Sequence, residues 1–257
     1  MIGIILTEIR AIIRLRSVQM AGLLAALAIS TQFRSAAILA GFNGLDAAGP
    51  IYYVSQLFLA LIVLGNCTTI IAGGALGAND FPWRTWGIKL VHVSKEKLIW
   101  AKILALCALS VITTITVCTS GYLLSVAKNV DAYSYYSFLL SLKQLVATAY
   151  ILFYWGVLSF TLCYGTQSFA FGATICLIYS FFERMIYSFT PQFIKSILPV
   201  WNQNGFLSRL FSNCAHGAVI IPPDSYFDPL ISICIFSAYI VIALVLLFYL
   251  ALRREYE

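Results

Sequence analysis

The sequence predicts an all-α membrane protein. It expects six transmembrane helices, an N-terminal amphipathic interfacial helix, a short cytoplasmic helix between spans 2 and 3, and short re-entrant helices between spans 5 and 6. Three observations lead there. Of 257 residues, 61% are hydrophobic and only 10% charged, against about 25% charged residues in a soluble domain. The mean hydropathy is +0.90. Apolar runs of about 20 residues, enough to cross a ~30 Å hydrocarbon core, recur along the whole chain.

The first element is Met1–Ser17. Ile2, Ile5, Ile9, Ile12 and Ile13 fall on one helical face, with Thr7, Arg10, Arg14 and Ser17 opposite. That pattern suits a helix lying along a membrane surface. A signal peptide's basic leader is rarely this long or this apolar. The spans follow at Val18–Phe42, Ile51–Leu76, Leu98–Val126, Phe138–Tyr164, Gln167–Tyr187 and Pro229–Leu252. No short-period repeat or low-complexity linker divides 1–257, which reads as one transmembrane domain.

Orientation follows from the basic residues between the spans. With the N-terminus inside, the cytoplasmic segments hold Arg10, Arg14, Arg16, Arg84, Lys89, Lys95, Lys97, Arg253 and Arg254, and Lys102 is near enough to snorkel to that interface. The other side holds Lys128, Lys195 and Arg209, with Arg34, Lys143 and Arg184 near outer helix ends. Both termini are expected in the cytoplasm. The net charge of +6 thus serves topology, and no nucleic-acid partner is expected. Cys67, Cys107, Cys118, Cys163, Cys176 and Cys234 lie in apolar runs and read as small hydrophobes; Cys214 alone falls outside them.

Two extramembrane segments stand out. In the cytoplasmic 79–97, Asp80 suits an N-cap and Pro82 a first helical turn, and Trp83, Trp86 and Leu90 then share a face with Arg84 and Lys89 around it. Ser94 is placed to cap the third span. The outer segment 188–228 gives one short apolar face from Phe193, Ile194, Ile197, Leu198 and Trp201. Phe206, Leu207, Leu210 and Phe211 give a second, with Asn204 as its cap. These helices are too short to span and too apolar for free loops, so they dip into the outer leaflet or pack on the bundle.

Catalytic motifs are missing. Gly44 to Gly49 is followed by Pro50 and has no phosphate-binding lysine, and His92 and His216 are far apart. Polar groups inside spans are the remaining candidates, since they are costly in lipid. Arg34, Lys143, Glu183 and Arg184 sit toward outer ends, where snorkelling accounts for them; Gln144 is a further candidate. Asn66 lies nearer mid-membrane beside Thr68 and Thr69, and interhelical hydrogen bonding is its first reading. Gly73 and Gly77 have small-x-x-x-small spacing.

The run Trp83-Arg84-Thr85-Trp86, the turn Val93-Ser94-Lys95 and the pair Ala101-Lys102 resemble the coupling region of the permease subunit of the type 2 ABC exporter family. Lys95 stands where arginine is commoner, and Asp80 where glutamate is commoner. The likeness in element order covers the chain; the residue matches cover about a tenth of it. The resemblance implies a permease without its own ATPase, and no cofactor in this chain. ATP and Mg would belong to a separate cytoplasmic ATPase docked on Asp80, Trp83, Arg84, Trp86, Lys89 and Leu90. A second permease copy, or a paralogous one, would pair with it in the lipid. The translocation path would then draw on Asn66, Thr69 and Gly73, which share a face of the second span, and on Gln167 and Thr174 of the fifth. The expected function is export of a peptide, antibiotic or lipid-like compound across a bacterial cell membrane. The alternatives are an intramembrane enzyme using Glu183 with His216, or a non-transporting scaffold or sensor subunit.

Overall fold

The computed structural model describes residues 2–43, 50–78, 93–127, 135–186, 189–211 and 228–253, and among these every regular element is a helix. In chain order they are α1 (Ile2–Arg14), α2 (Arg16–Asn43), α3 (Pro50–Ala60), a π-helical stretch (Leu61–Gly65), α4 (Asn66–Ala78), α5 (Lys95–Ala127), α6 (Tyr135–Thr166), α7 (Phe169–Ile186), α8 (Gln192–Lys195), α9 (Pro199–Leu210) and α10 (Pro229–Arg253). Within the described residues the expected spans lie mainly on helix, the second across the π-helical stretch and the fifth starting in the turn at Gln167 and Ser168. By length and apolarity α5, α6 and α10 qualify as membrane-crossing on their own. The count rises to as many as five if each of two bent pairs is one span. The apolar part of α7, Phe169–Glu183, is shorter than the others. The chain therefore has the apolar helices of a multi-pass membrane protein.

The first bent pair turns by 71° between α1 and α2, so the N-terminal helix leaves the line of the segment after it. Its apolar stripe is divided. Ile2, Leu6 and Ile13 are exposed, whereas Ile12 is buried in the bundle together with Glu8. The expected single apolar face, with Ile12 on its membrane side, is thus corrected: α1 packs along α5, which draws in the Glu8–Ile12 edge.

The second bent pair is the expected second span. It is broken by the π-helical stretch and bends by 43°. A run of i→i+5 bonds widens the helix locally, and such insertions accompany kinks.

α6 is the central helix, packing against α3, α4, α5, α7, α9 and α10. Two apolar clusters meet along it. One gathers Phe58, Leu61, Trp155, Phe206 and Phe236; the other gathers Ile12, Leu76, Ile103, Phe160 and Leu247. α4 and α6 approach each other closely. A Cβ built on Gly73 would lie 2.1 Å from the Gly156 carbonyl oxygen, and one on Gly77 would lie 2.6 Å from that of Phe160. The small-residue spacing thus joins two helices of one chain. Backbones this close gain dispersion contacts, which drive helix association where lipid leaves little hydrophobic effect to exploit.

Candidate functional site

α9 lies between α8 and α10 and carries the polar run Asn202-Gln203 in an apolar setting. Leu198 is its N-cap and Pro199 occupies its first turn. The fixed backbone angle and missing N–H of proline suit that position. Asn204, expected as the cap, is therefore interior to one helix of 12 residues. Val200, Trp201, Phe206 and Leu207 are buried, while Phe193, Ile194 and Ile197 of the preceding turn are exposed. The second expected apolar face packs on the bundle, whereas of the first only Trp201 is buried and Leu198 half-buried.

Both ends of α9 are held by side chains from the long helices. At its start, the Val200 amide donates to Glu183 Oε1 at 2.5 Å. At its end, Gln144 Nε2 donates to the Leu210 carbonyl at 2.7 Å, while Gln144 Oε1 accepts from Ser55 Oγ at 2.8 Å. Between them, Trp155 Nε1 donates to Gln203 Oε1 at 3.3 Å. Tyr239 Oη donates to the Ile197 carbonyl just ahead of the helix, and Asn202 Nδ2 donates to the carbonyls of Ser196 and Leu198. A helix leaves about four amides and four carbonyls unpaired at its two ends. In lipid each needs a protein partner. Glu183 is 4% exposed, which corrects the expectation that it snorkels. Its carboxylate meets the positive end of the α9 dipole, the arrangement that favours an anion. With Oε1 taken up by α9, Glu183 is a helix cap; His216, its expected catalytic companion, lies outside the described residues.

A buried lysine does the converse at the C-terminal end of α4. Lys102, 1% exposed, donates from Nζ to the Leu76 carbonyl at 2.6 Å. Leu76 is in the last turn of α4, where the dipole is negative. Lys102 thus corrects the expectation of a snorkelling side chain. Ser159 Oγ on α6 donates to the Ile70 carbonyl at 2.6 Å, pinning the middle of α4.

Of the residues expected to line a path, Asn66, Thr69 and Gly73 come together as a buried face. Thr69 Oγ1 donates to the Asn66 carbonyl, and Gly73 meets Gly156. Asn66 is 1% exposed and opens α4 directly after the π-helical stretch. Its Nδ2 has no hydrogen-bond partner among the described residues. Gln167 and Thr174 do not join this face. Gln167 stands exposed in the turn after α6 with φ 54°, and Thr174 is exposed on α7, where Ala173 faces Gly74 instead. The turn is closed by Ser168, whose Oγ accepts the Phe171 amide at 3.3 Å and caps α7. No family model matches the chain, and no curated protein matches it. Asp80, Trp83, Arg84, Trp86, Lys89 and Leu90, the expected docking residues, lie outside the described residues.

Sequence reasoning missed Asn202, Gln203, Ser55 and Ser159. The signal for the first two was a pair of amides beside Trp201 in an otherwise apolar stretch. The serines carried none, since a serine in a span usually bonds its own helix.

Proposed function

We propose that the chain is the transmembrane permease subunit of an ATP-driven exporter. In this reading it crosses a bacterial cell membrane six times with both termini in the cytoplasm. Two permeases pair, and a separate ATPase docks on Asp80–Leu90. The cargo is a peptide, antibiotic or lipid-like compound.

One observation supports this reading best. α4 runs from the break beside Asn66 to the edge of the aromatic and basic segment that resembles a coupling region, and it is fixed along its length to neighbouring helices. Gly73 and Gly77 seat it on α6, Ser159 holds its middle, and Lys102 holds its end. A displacement imposed at 79–92 would therefore move a packed unit and concentrate at the π-helical break.

The test is co-purification. The tagged chain is expected to retain a cytoplasmic ATP-hydrolysing protein, and Trp83→Ala with Trp86→Ala is expected to lose it while the bundle stays folded. An unchanged complex in the double variant would refute docking at this segment.

A further inference from the structure

α9 is too short to cross the membrane, at roughly 18 Å for its length, and it sits between two long helices, α6 and α10. Along its C-terminal half the packing opens into a groove of about 490 Å³. Leu142 and Val146 of α6 form one wall, Phe206 and Leu210 of α9 the floor, and Ile233 of α10 the other wall. Lys143 is the charged residue in its lining. The surface around the groove is apolar and exposed: Phe138, Leu142, Val146, Leu230 and Ile233 all present side chains outward. A helix face of this composition is a lipid-facing one.

Lys143 is exposed, and neither a salt bridge nor a hydrogen bond ties its ammonium among the described residues. The contrast with Lys102, which is buried and bonded to a carbonyl, separates a structural cation from one left facing the bilayer. A cation among apolar helix faces seeks an anion, and a lysine near an anionic headgroup favours it by about 1 kcal/mol. We propose that this groove holds one resident anionic phospholipid, its acyl chain between α6, α9 and α10 and its phosphate on Lys143. The apolar walls account for the chain and the lone ammonium for the charge preference; a long lysine stem reaches from the wall to the headgroup level. The lipid would complete the outer layer where α9 stops short of the surface.

Native mass spectrometry of the detergent-purified chain, with phosphatidylglycerol or phosphatidylcholine added in equal amount, tests this. The assay uses the chain alone, so its outcome is independent of any docked ATPase. One phosphatidylglycerol should be retained in preference to phosphatidylcholine. Lys143→Ala should lower that preference about fivefold, the contribution of one basic residue near an anionic headgroup. Val146→Trp, at an exposed position on the wall, should fill the groove and remove retention of both lipids. Equal retention of the two lipids by the unaltered chain, or an unchanged preference in Lys143→Ala, overturns the proposal. So does loss of a dimer in Val146→Trp with lipid still bound, which would make the groove a contact between two copies of this chain.

Discussion

Glu183 on α7 accepts the backbone amide of Val200, the second residue of α9, across 17 positions of sequence. A side chain from one apolar helix thereby satisfies one of the amides left open at the start of another. Lys102 does the same for the Leu76 carbonyl at the opposite pole of a helix. In each case the sign of the buried charge complements the helix end that it meets.

Glu183→Gln keeps an acceptor at the start of α9 and removes the charge, so it should lose only the dipole contribution, about 0.3–1 kcal/mol. Glu183→Leu leaves the Val200 amide buried without its acceptor and should lose about 1–3 kcal/mol. Thermal unfolding of the two purified variants compares them. Equal losses would mean that the hydrogen bond to α9 contributes nothing.

Gln144→Leu severs two links at once, to Ser55 on α3 and to Leu210 at the far end of α9. We expect a loss of about 1–3 kcal/mol and easier proteolysis close after α9. Combined with Glu183→Leu the losses should add, because the two sites lie roughly 15 Å apart along the helix. Strong non-additivity would show that α9 detaches as a unit.

Gly73→Ala forces a methyl onto the Gly156 carbonyl and should destabilise the chain by about 1–3 kcal/mol through overpacking. Gly22→Ala meets nothing within 4 Å and should instead be neutral or stabilising by up to about 1 kcal/mol, since it removes a flexible residue from a helix. Melting temperatures in detergent read both; a tolerated Gly73→Ala would contradict the close α4–α6 approach.

Asn66→Leu removes an amide whose Nδ2 is buried without a partner among the described residues. Stability should hold or rise, because burying an unpaired polar group costs about 1–3 kcal/mol. Under the exporter reading, substrate-stimulated hydrolysis by the docked ATPase should fall at the same time. A variant that melts earlier with unchanged turnover per folded molecule would make Asn66 a structural residue.

The sequence by itself determined the helical class, the positions of the long apolar helices and the break between α1 and α2, because these depend on local runs of residues. Phe138–Tyr164 and Pro229–Leu252 coincide closely with α6 and α10 for that reason. It also picked out Glu183, Gln144 and Asn66, since a polar group in an apolar run is conspicuous wherever it points. Their roles were decided only by the tertiary structure. Whether Glu183 reaches headgroups or an amide depends on where α9 packs, and the sequence placed a cap at Asn204 inside that helix. Lys102 has the same stem length whether it snorkels or turns inward; the open carbonyl at the end of α4, brought within 2.6 Å, selects the second. Gly73 and Gly77 announced a close contact without naming its partner, because spacing on one helix carries no record of the surface it meets. Partner choice lies in shape complementarity between segments distant in sequence, and only the packed bundle contains it.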